Sequence, residues 1–215
     1  MKLANIEINL TGNSGVLIEA EGKKIYIDPY QLKETQKKAD IVLITHPHYD
    51  HCSIADIEAI VKKGSVVVIP PDCQSKIARI KQKVDMQIVE LGDEITIQNI
   101  KIQAVPAYNL NKNFHPKSER WHGYIIKFEN IQIYHAGDTD LIPEMSKLVG
   151  FHNLIALLPV GGNYTMNAEE AAKAASIIKP KLAIPMHYGV AAGSAEDASK
   201  FIELCKKEGI EAKIT

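Results

Sequence analysis

Residues 45–51 read THPHYDH, which places three histidines and an aspartate within the six positions from His46 to His51. They follow the apolar run ADIVLI, which predicts a buried strand. His46 and His48 stand two positions apart where this strand ends, so their side chains can point the same way. Imidazole nitrogens and carboxylate oxygens are good ligands for zinc and its first-row neighbours. The pattern predicts a metal site at the carboxyl end of a strand, where sites in α/β sheets tend to form.

Other predicted strands end in the same kinds of residue. IQIYHAGD ends a strand with Asp138, KLAIPMH ends one with His187, and His115 lies in the loop after IKIQAV. The alternative for THPHYDH is a polar loop that happens to be rich in histidine. Recurrence of metal-type ligands at several strand ends favours the metal site.

The first half of the chain is predicted to begin with three short strands, NIEINL, GVLIEA and KKIYID, separated by turns that contain glycine. DIVLIT and SVVVIP are further strands, buried on both faces. Ser53 and Asp56 have capping-box spacing, which predicts a helix that begins at Ser53 and is closed by Gly64. SKIARIKQK predicts another helix, with its charges on a solvated face.

The second half repeats this order. EITIQNIKIQAV predicts a hairpin that turns at Gln98-Asn99, and GYIIKFENIQIYHAGD one that turns at Glu129-Asn130. NLIALLPV and KLAIPMH are short buried strands. Asn167 is predicted to cap a helix that runs through Ile178, and Ser194 with Asp197 signals a last helix. Two sheets packed face to face with helices outside would accommodate both halves.

THPHYDH, HAGDTD and IPMHYG resemble the signatures of the metallo-β-lactamase superfamily, whose first motif is HxHxDH. The branch that the chain resembles most is that of small hydrolases similar to the ascorbate-6-phosphate lactonases. The resemblance covers essentially the whole chain and implies an α+β fold, a four-layer αββα sandwich. It also implies a dinuclear metal site at one edge of the sheets. A length of 215 residues fits a single domain over residues 1–215.

The resemblance implies seven metal ligands, which are His46, His48, Asp50, His51, His115, Asp138 and His187. By motif position, His46 and His48 bind the first metal, and Asp50 and His51 bind the second. Asp138 corresponds to the aspartate that bridges the two metals, and His187 to the last histidine of the second metal.

The third histidine of the first metal is the ligand that departs from the pattern. Many relatives have a histidine at the position of Asn109, whose amide is a poor ligand for zinc. His115, in NFHPK, is the expected replacement, and His122, in RWHGY, is the competitor. A long loop can bring His115 back to the site, and the proline that follows restricts its backbone.

Two divalent metal ions are the implied cofactors, and zinc is the expected metal. Manganese, iron and nickel accept similar ligands, so the sequence does not separate them. Two such cations can share a water and lower its pKa towards neutrality, and the resulting hydroxide can attack an ester, lactone, amide or phosphoryl centre. Asp50 is the predicted catalytic residue, because it can hydrogen-bond the nucleophile and pass its proton to the leaving group.

Three neighbouring residues have open roles. Asp28 follows KKIYID and either accepts a hydrogen bond from a ligand imidazole or forms a turn. His135 either contacts the ligands or substrate, or is a satisfied core histidine. Cys52 is expected to be buried against the start of the helix.

The composition of the chain limits the classes of binding partner that are expected. The formal net charge of −1 gives no global attraction to nucleic acid or to an anionic membrane. The sequence has no signal-peptide pattern and no apolar run near the ~18 residues that span a bilayer. Three cysteines at unrelated spacings suit a reduced, cytoplasmic setting. A small-molecule substrate is expected, and the oligomeric state is open, a homo-oligomer included.

The segment from Tyr108 to Trp121 is a long loop that carries Lys112, Lys117 and Arg120 beside aromatic residues. Long loops over metal sites often act as lids, and these cations could receive an anionic substrate. A merely solvated loop is the alternative.

Three functional classes follow. The first is a metal-dependent hydrolase of a small ester, lactone or phosphoester. The second is a nuclease or phosphodiesterase acting on nucleic acid, and the third is a di-iron redox protein on the same fold. The neutral charge and the lack of room for a further domain rank the hydrolase first.

Overall fold

The computed structural model describes residues 2–3, 5–33 and 36–215. The chain divides into two compact units, residues 1–90 with Thr215 and residues 91–214. The single domain over residues 1–215 stays a prediction. Within the described ranges, no helix is long and apolar enough to cross a membrane.

The first unit contains a seven-stranded sheet in which the strands lie in chain order. They are β1 (Lys2–Leu3), β2 (Ile6–Gly12), β3 (Gly15–Ala20), β4 (Lys23–Ile27), β5 (Ile41–Leu43), β6 (Val66–Ile69) and β7 (Asp85–Ile88). The first four strands are antiparallel neighbours, and β4 to β7 are parallel neighbours. The five strands predicted from sequence are present, whereas β1 and β7 were not predicted.

Helix α1 (Ile54–Ile60) starts as predicted and ends early. The Ser53 hydroxyl accepts a hydrogen bond from the Asp56 N–H, and this caps the helix. The prediction that Gly64 closes the helix is wrong, because Val61 already adopts an extended conformation with φ −68° and ψ 153°. Ala39 N–H donates to the carbonyl of Ile60, so the last turn is fixed by a contact outside the helix.

The second predicted helix, in SKIARIKQK, is much shorter than expected. A 3₁₀ turn (Pro71–Cys73) leads into α2 (Gln74–Ile77). The amides of Arg79 and Ile80 donate to carbonyls three residues back, so the α-helical pattern stops at Ile77. The chain then has to leave the helix to form β7.

The second unit contains a six-stranded sheet in the order β13-β12-β11-β10-β9-β8. Its strands are β8 (Glu94–Ile97), β9 (Ile100–Pro106), β10 (His122–Lys127), β11 (Gln132–His135), β12 (Leu154–Pro159) and β13 (Leu182–Met186). Both predicted hairpins are present. Gln98 and Asn99 have φ of 50° and 73°, the left-handed values that a two-residue hairpin turn requires.

Two capped helices belong to the second unit, α3 (Ala168–Ile178) and α4 (Ala195–Lys207). Asn167 with Glu170 and Ser194 with Asp197 form complete capping boxes. Strands β11, β12 and β13 are parallel neighbours. Their carboxyl ends therefore lie at the same edge, where Asp138 and His187 follow β11 and β13. The two mixed sheets with their helices agree with the predicted α+β class.

Replacing Asn167 with alanine removes the side-chain acceptor of the α3 capping box. We expect Asn167→Ala to lower the free energy of unfolding by about 1 kcal/mol, measured by urea denaturation. Ser176→Ala, at a half-buried position of the same helix, is the matched control and should stay within about 0.5 kcal/mol of wild type. Equal stability of the two variants would contradict a capping role for Asn167.

Candidate metal centre

Asp28 is a buried carboxylate at the end of β4, and it organises the first unit's donor residues. Oδ1 accepts a hydrogen bond from the Thr45 N–H at 2.8 Å. Oδ2 accepts from the Thr45 hydroxyl at 2.6 Å and faces His51 Nδ1 at 2.7 Å. Because β4 and β5 are parallel neighbours, with Ile27 opposite Leu43, their carboxyl ends place Asp28 beside Thr45. Of the two roles left open for Asp28, the structure favours the hydrogen bond to an imidazole.

These hydrogen bonds select the ring tautomers of His46 and His51. His51 Nδ1 donates to Asp28, so Nε2 is the nitrogen that can bind a metal. The Thr45 hydroxyl gives its proton to Asp28 and lies 2.9 Å from His46 Nδ1, which therefore donates to it. His46 also presents Nε2. The buried carboxylate thus prepares both imidazoles for the same task.

His48 is half-buried and lies in the turn between these two histidines. Its Nδ1 is 3.0 Å from His46 Nε2. Its carbonyl accepts from the amides of His51 and Cys52 at 3.2 and 2.8 Å, and Lys76 Nζ donates to the carbonyl of Pro47. The turn that carries the motif is therefore held at its backbone from two sides.

Asp50 is 6% exposed and is positioned by a residue that the sequence did not indicate. The Asn13 side-chain amide donates to Asp50 Oδ2 at 2.9 Å, and His51 Nε2 lies 3.5 Å from the same oxygen. Asn13 has φ of 49°, which asparagine tolerates better than most residues. In the sequence, the only feature that pointed to Asn13 was the polar stretch GNSG between two strands. This stretch has the pattern of an ordinary turn.

In the second unit, Asp138 lies between two histidines. Its Oδ2 is 3.2 Å from His187 Nε2 and 3.4 Å from His115 Nε2. All three side chains are buried. The three ligands predicted from this half of the chain are therefore brought together, although they come from three separate segments.

His115 and His122, the two candidates for one ligand position, have different surroundings. The Asn109 amide donates to the carbonyl of Tyr164 at 2.9 Å, which turns its Oδ1 towards His115 Nδ1 at 3.1 Å. His115 thus presents Nε2 on the side of Asp138. His122 Nε2 instead lies 3.0 Å from the Tyr124 hydroxyl. Asn109 therefore orients His115, the residue predicted as the third histidine of the first metal.

His187 has φ of 57°, a left-handed conformation that is uncommon for a residue other than glycine. Gly161 makes room for it. A Cβ atom on Gly161 would lie 2.5 Å from the His187 carbonyl oxygen and 3.0 Å from its Nδ1. The glycine in PVGGNYTM is therefore required for close approach of the backbone to a donor residue.

The remaining histidines and Cys52 have simpler environments. His135 is buried, and its Nδ1 accepts a hydrogen bond from the Gly137 N–H at 3.3 Å, as expected for a core histidine. His152 is exposed. Cys52 is buried as predicted, next to Cys73 in the core of the first unit.

Two of the loop lysines are already paired. Lys112 Nζ binds the Asp140 carboxylate and donates to the carbonyl of Thr165 at 2.9 Å. Lys117 Nζ lies 3.1 Å from both the Tyr108 hydroxyl and Glu144 Oε1, and these contacts raise the pKa of Lys117. Burial acts to raise the pKa of Glu144, but hydrogen bonds from Tyr108 and Lys117 outweigh it and the pKa is lowered. Each of these lysines is therefore ion-paired with a carboxylate.

An apolar cavity of about 310 Å³ in the second unit lies away from the donors. Its walls include Ile125, Tyr134, Met145 and Phe151, and no predicted ligand lines it. The candidate site is therefore identified by its donor atoms and not by this cavity.

The donor sets fit divalent metal ions. In the first unit, Nε2 of His51 lies 3.5 Å from Oδ2 of Asp50, and both atoms belong to predicted ligands. His46 Nε2 and His48 Nδ1 face each other at 3.0 Å and share one proton, which a cation bound to both would replace. In the second unit, a carboxylate oxygen faces two imidazole Nε2 atoms. Buried nitrogen and oxygen donors with fixed tautomers are what zinc-type sites contain.

Comparison with known proteins gives the family. The family model described as the beta-lactamase superfamily domain matches residues 7–187. A UPF0173 metal-dependent hydrolase of Thermococcus kodakarensis is 34% identical over 214 residues, which cover 93% of this chain and 92% of the relative. The chain belongs to the metallo-β-lactamase superfamily. A UPF0173 metal-dependent hydrolase of Lysinibacillus sphaericus is 32% identical over 220 residues, 96% of this chain and 95% of the relative.

A solved structure supports the same conclusion for the fold. A protein of Parabacteroides distasonis has a TM-score of 0.85 and 33% identity, and the match covers 97% of this chain and 92% of that one. The predicted metallo-β-lactamase fold is confirmed. The relatives are named metal-dependent hydrolases, in agreement with the predicted enzyme class. Likeness to the ascorbate-6-phosphate lactonases stays a prediction.

The two candidate histidines can be separated by matched variants. We expect His115→Gln to weaken metal binding by about tenfold or more, because it removes an imidazole whose Nε2 faces Asp138. His122→Gln should leave the metal affinity near that of wild type, and its effect should be on stability through the lost Tyr124 contact. The measurement is competition with a chelating dye. A loss of affinity in His122→Gln alone would reverse the assignment.

Proposed function

We propose that this protein is a hydrolase of a small ester or lactone, with a dinuclear site for divalent metal ions and with Asp50 as its proton-transfer residue. The observation that carries the proposal is the set of buried imidazoles whose tautomers are fixed by Asp28 and Asn109. In the first unit this orientation requires a buried carboxylate, which is unfavourable in itself. The carboxylate contributes no apolar packing. Such orientation is the arrangement that supports metal ligands.

The assignment of ligands follows the order of motifs in the superfamily. His46, His48 and His115 would hold the first metal, and Asp50, His51 and His187 the second, with Asp138 shared by both. Zinc is the metal we propose, since nitrogen donors predominate; manganese, iron and nickel are the alternatives. When bound, the cations supply Lewis acidity, which polarises a carbonyl group and lowers the pKa of water towards neutrality.

The proton is handled by Asp50. The Asn13 amide donates to Oδ2 of this buried carboxylate at 2.9 Å and orients it. An ionised Asp50 can accept a proton from the attacking water and return it to the oxygen of the leaving group. Asp50 is the only carboxylate of the HxHxDH motif, and it is buried and oriented by Asn13, so we assign the role to it.

The net charge and the ion pairs of the loop lysines favour an ester or lactone substrate over a phosphoester. A phosphodiesterase acting on nucleic acid would need cations to hold phosphate groups. The net charge is −1, and Lys112 and Lys117 are already ion-paired. A di-iron redox activity has no specific observation in its favour.

Asp50→Asn keeps the shape of the side chain but removes its charge and its ability to accept a proton. We expect the variant to fold and to retain at least one metal, held mainly by histidines. Turnover should fall by about 10²–10⁴, the usual contribution of a general acid–base residue. The measurement is metal quantification beside steady-state kinetics on p-nitrophenyl esters and lactones.

The matched control is Asp85→Asn, an exposed aspartate of the first unit, which should behave as wild type. Unchanged turnover in Asp50→Asn would reject Asp50 as a catalytic residue. Absence of hydrolysis of every ester, lactone and bis-p-nitrophenyl phosphate by the fully metallated wild type would reject the proposed function.

A further inference from the structure

Several exposed apolar side chains are close in sequence to the predicted metal ligands. Among the described residues, the large hydrophobic side chains that are exposed are Tyr49, Ile88, Leu110, Phe114, Val149, Val190 and Ile214. Tyr49 lies between His48 and Asp50, Phe114 directly precedes His115, and Leu110 directly follows Asn109. Val190 is three positions after His187. Single exposed hydrophobic residues are ordinary, but an exposed aromatic side chain directly before a buried predicted ligand, as at Phe114, is a candidate for substrate contact.

In the second unit, this apolar surface is built on the same loop as a donor. The Asn109 N–H donates to the carbonyl of His115 at 2.7 Å, and the His115 N–H donates to Asn109 Oδ1 at 3.1 Å. These bonds close residues 109–115 into a pinned loop. Phe114 is 48% exposed and packs edge-on against Tyr164, with ring centroids 4.6 Å apart.

The same hydrogen-bond network holds the backbone of Tyr164. The carbonyl of Tyr164 accepts the Asn109 amide that orients His115. Phe114 and Tyr164, which we call the aromatic patch, are therefore held by the residue that also sets the donor atom of His115. A rigid, half-exposed aromatic pair beside a donor has apolar area to offer at little cost in conformational entropy.

Charge gives the chemistry of what binds there. Lys112 is bound by Asp140 and the Thr165 carbonyl, and the amide of Leu110 also donates to Asp140 at 2.9 Å. The cation within the pinned loop thus serves to hold the loop. It is not presented to a substrate, and the exposed side chains of the pinned loop, Leu110, Asn111, Asn113 and Phe114, are uncharged.

We propose that the substrate carries an uncharged apolar group, alkyl or aryl, next to its hydrolysable bond, and that this group packs on the aromatic patch of Phe114 and Tyr164. The inference rests on the proposed hydrolase function and adds the class of substrate. Phe114 is a specificity-determining residue on this account, and it takes no part in the reaction itself.

The test lengthens the apolar group of the substrate. The metal-loaded protein is assayed with p-nitrophenyl alkanoates and with acetates of straight-chain alcohols. We expect kcat/KM of the wild type to rise about two- to threefold per added methylene in one series, because each methylene loses contact with water. Phe114→Ala should flatten that rise, with loss of about tenfold for the longest ester and about twofold or less for the shortest.

Val149→Ala is the matched control, since Val149 is 53% exposed in the same unit and is not adjacent to a donor. It should keep the chain-length dependence of the wild type. A flat series in the wild type would overturn the inference while leaving the hydrolase function intact. An equal loss for all esters in Phe114→Ala would overturn it too, and a selective loss of anionic esters in Arg120→Gln would assign the substrate to the anionic class instead.

A binding measurement keeps the inference testable if no ester is hydrolysed. Straight-chain alkyl hydroxamates carry a metal-binding head and an apolar tail of variable length. Calorimetric titration of the metal-loaded protein should show affinity that rises with tail length in the wild type and in Val149→Ala, and that rises less in Phe114→Ala. Hydrolysis absent with this dependence present would refute the proposed function alone, whereas affinity independent of tail length would refute the apolar substrate.

Discussion

The carboxylate of Asp28 is the group on which the arrangement of the first unit depends. A buried carboxylate is costly unless its oxygens are hydrogen-bonded, and here three donors meet it, the Thr45 amide, the Thr45 hydroxyl and His51 Nδ1. The contacts join the end of β4 to the end of β5 and to the turn beyond it. These contacts position the HxHxDH segment. They also determine which ring nitrogens of His46 and His51 are left without a proton and can bind a metal.

In the second unit, neutral groups orient the imidazole rings. Asn109 is pinned by the Tyr164 carbonyl and turns its oxygen to His115, in place of a carboxylate. The left-handed backbone of His187 is made possible by Gly161. In both cases, the backbone or a side chain is restricted to one conformation, and this fixes the direction of an imidazole ring. The common effect is that donor atoms are oriented before a metal arrives, which lowers the cost of binding one.

Sequence alone predicted those features that depend on local pattern. The strand ends that carry His46, Asp138 and His187, the hairpin at Gln98-Asn99 and the caps at Asn167 and Ser194 follow from alternation, turn residues and capping spacing. The early end of α1 at Ile60 and the short α2 did not follow, because a contact to Ala39 and the path to β7 decide them. Asn13 and Asn109 were missed as orienting residues, because their partners lie 37 and 6 positions away along the chain and only the fold joins them.

The ring tautomers of His46 and His51 test this account most directly. They can be read in the metal-free protein by long-range ¹H–¹⁵N correlation NMR, at a pH well above the pKa of imidazole. We expect both rings to carry their proton on Nδ1 in the wild type. In Asp28→Asn, the new amide places N–H groups against other donors, so His51 should move its proton to Nε2, with a loss of metal affinity of about 10–100-fold. A wild-type His51 protonated on Nε2, or tautomers unchanged in Asp28→Asn, would contradict it.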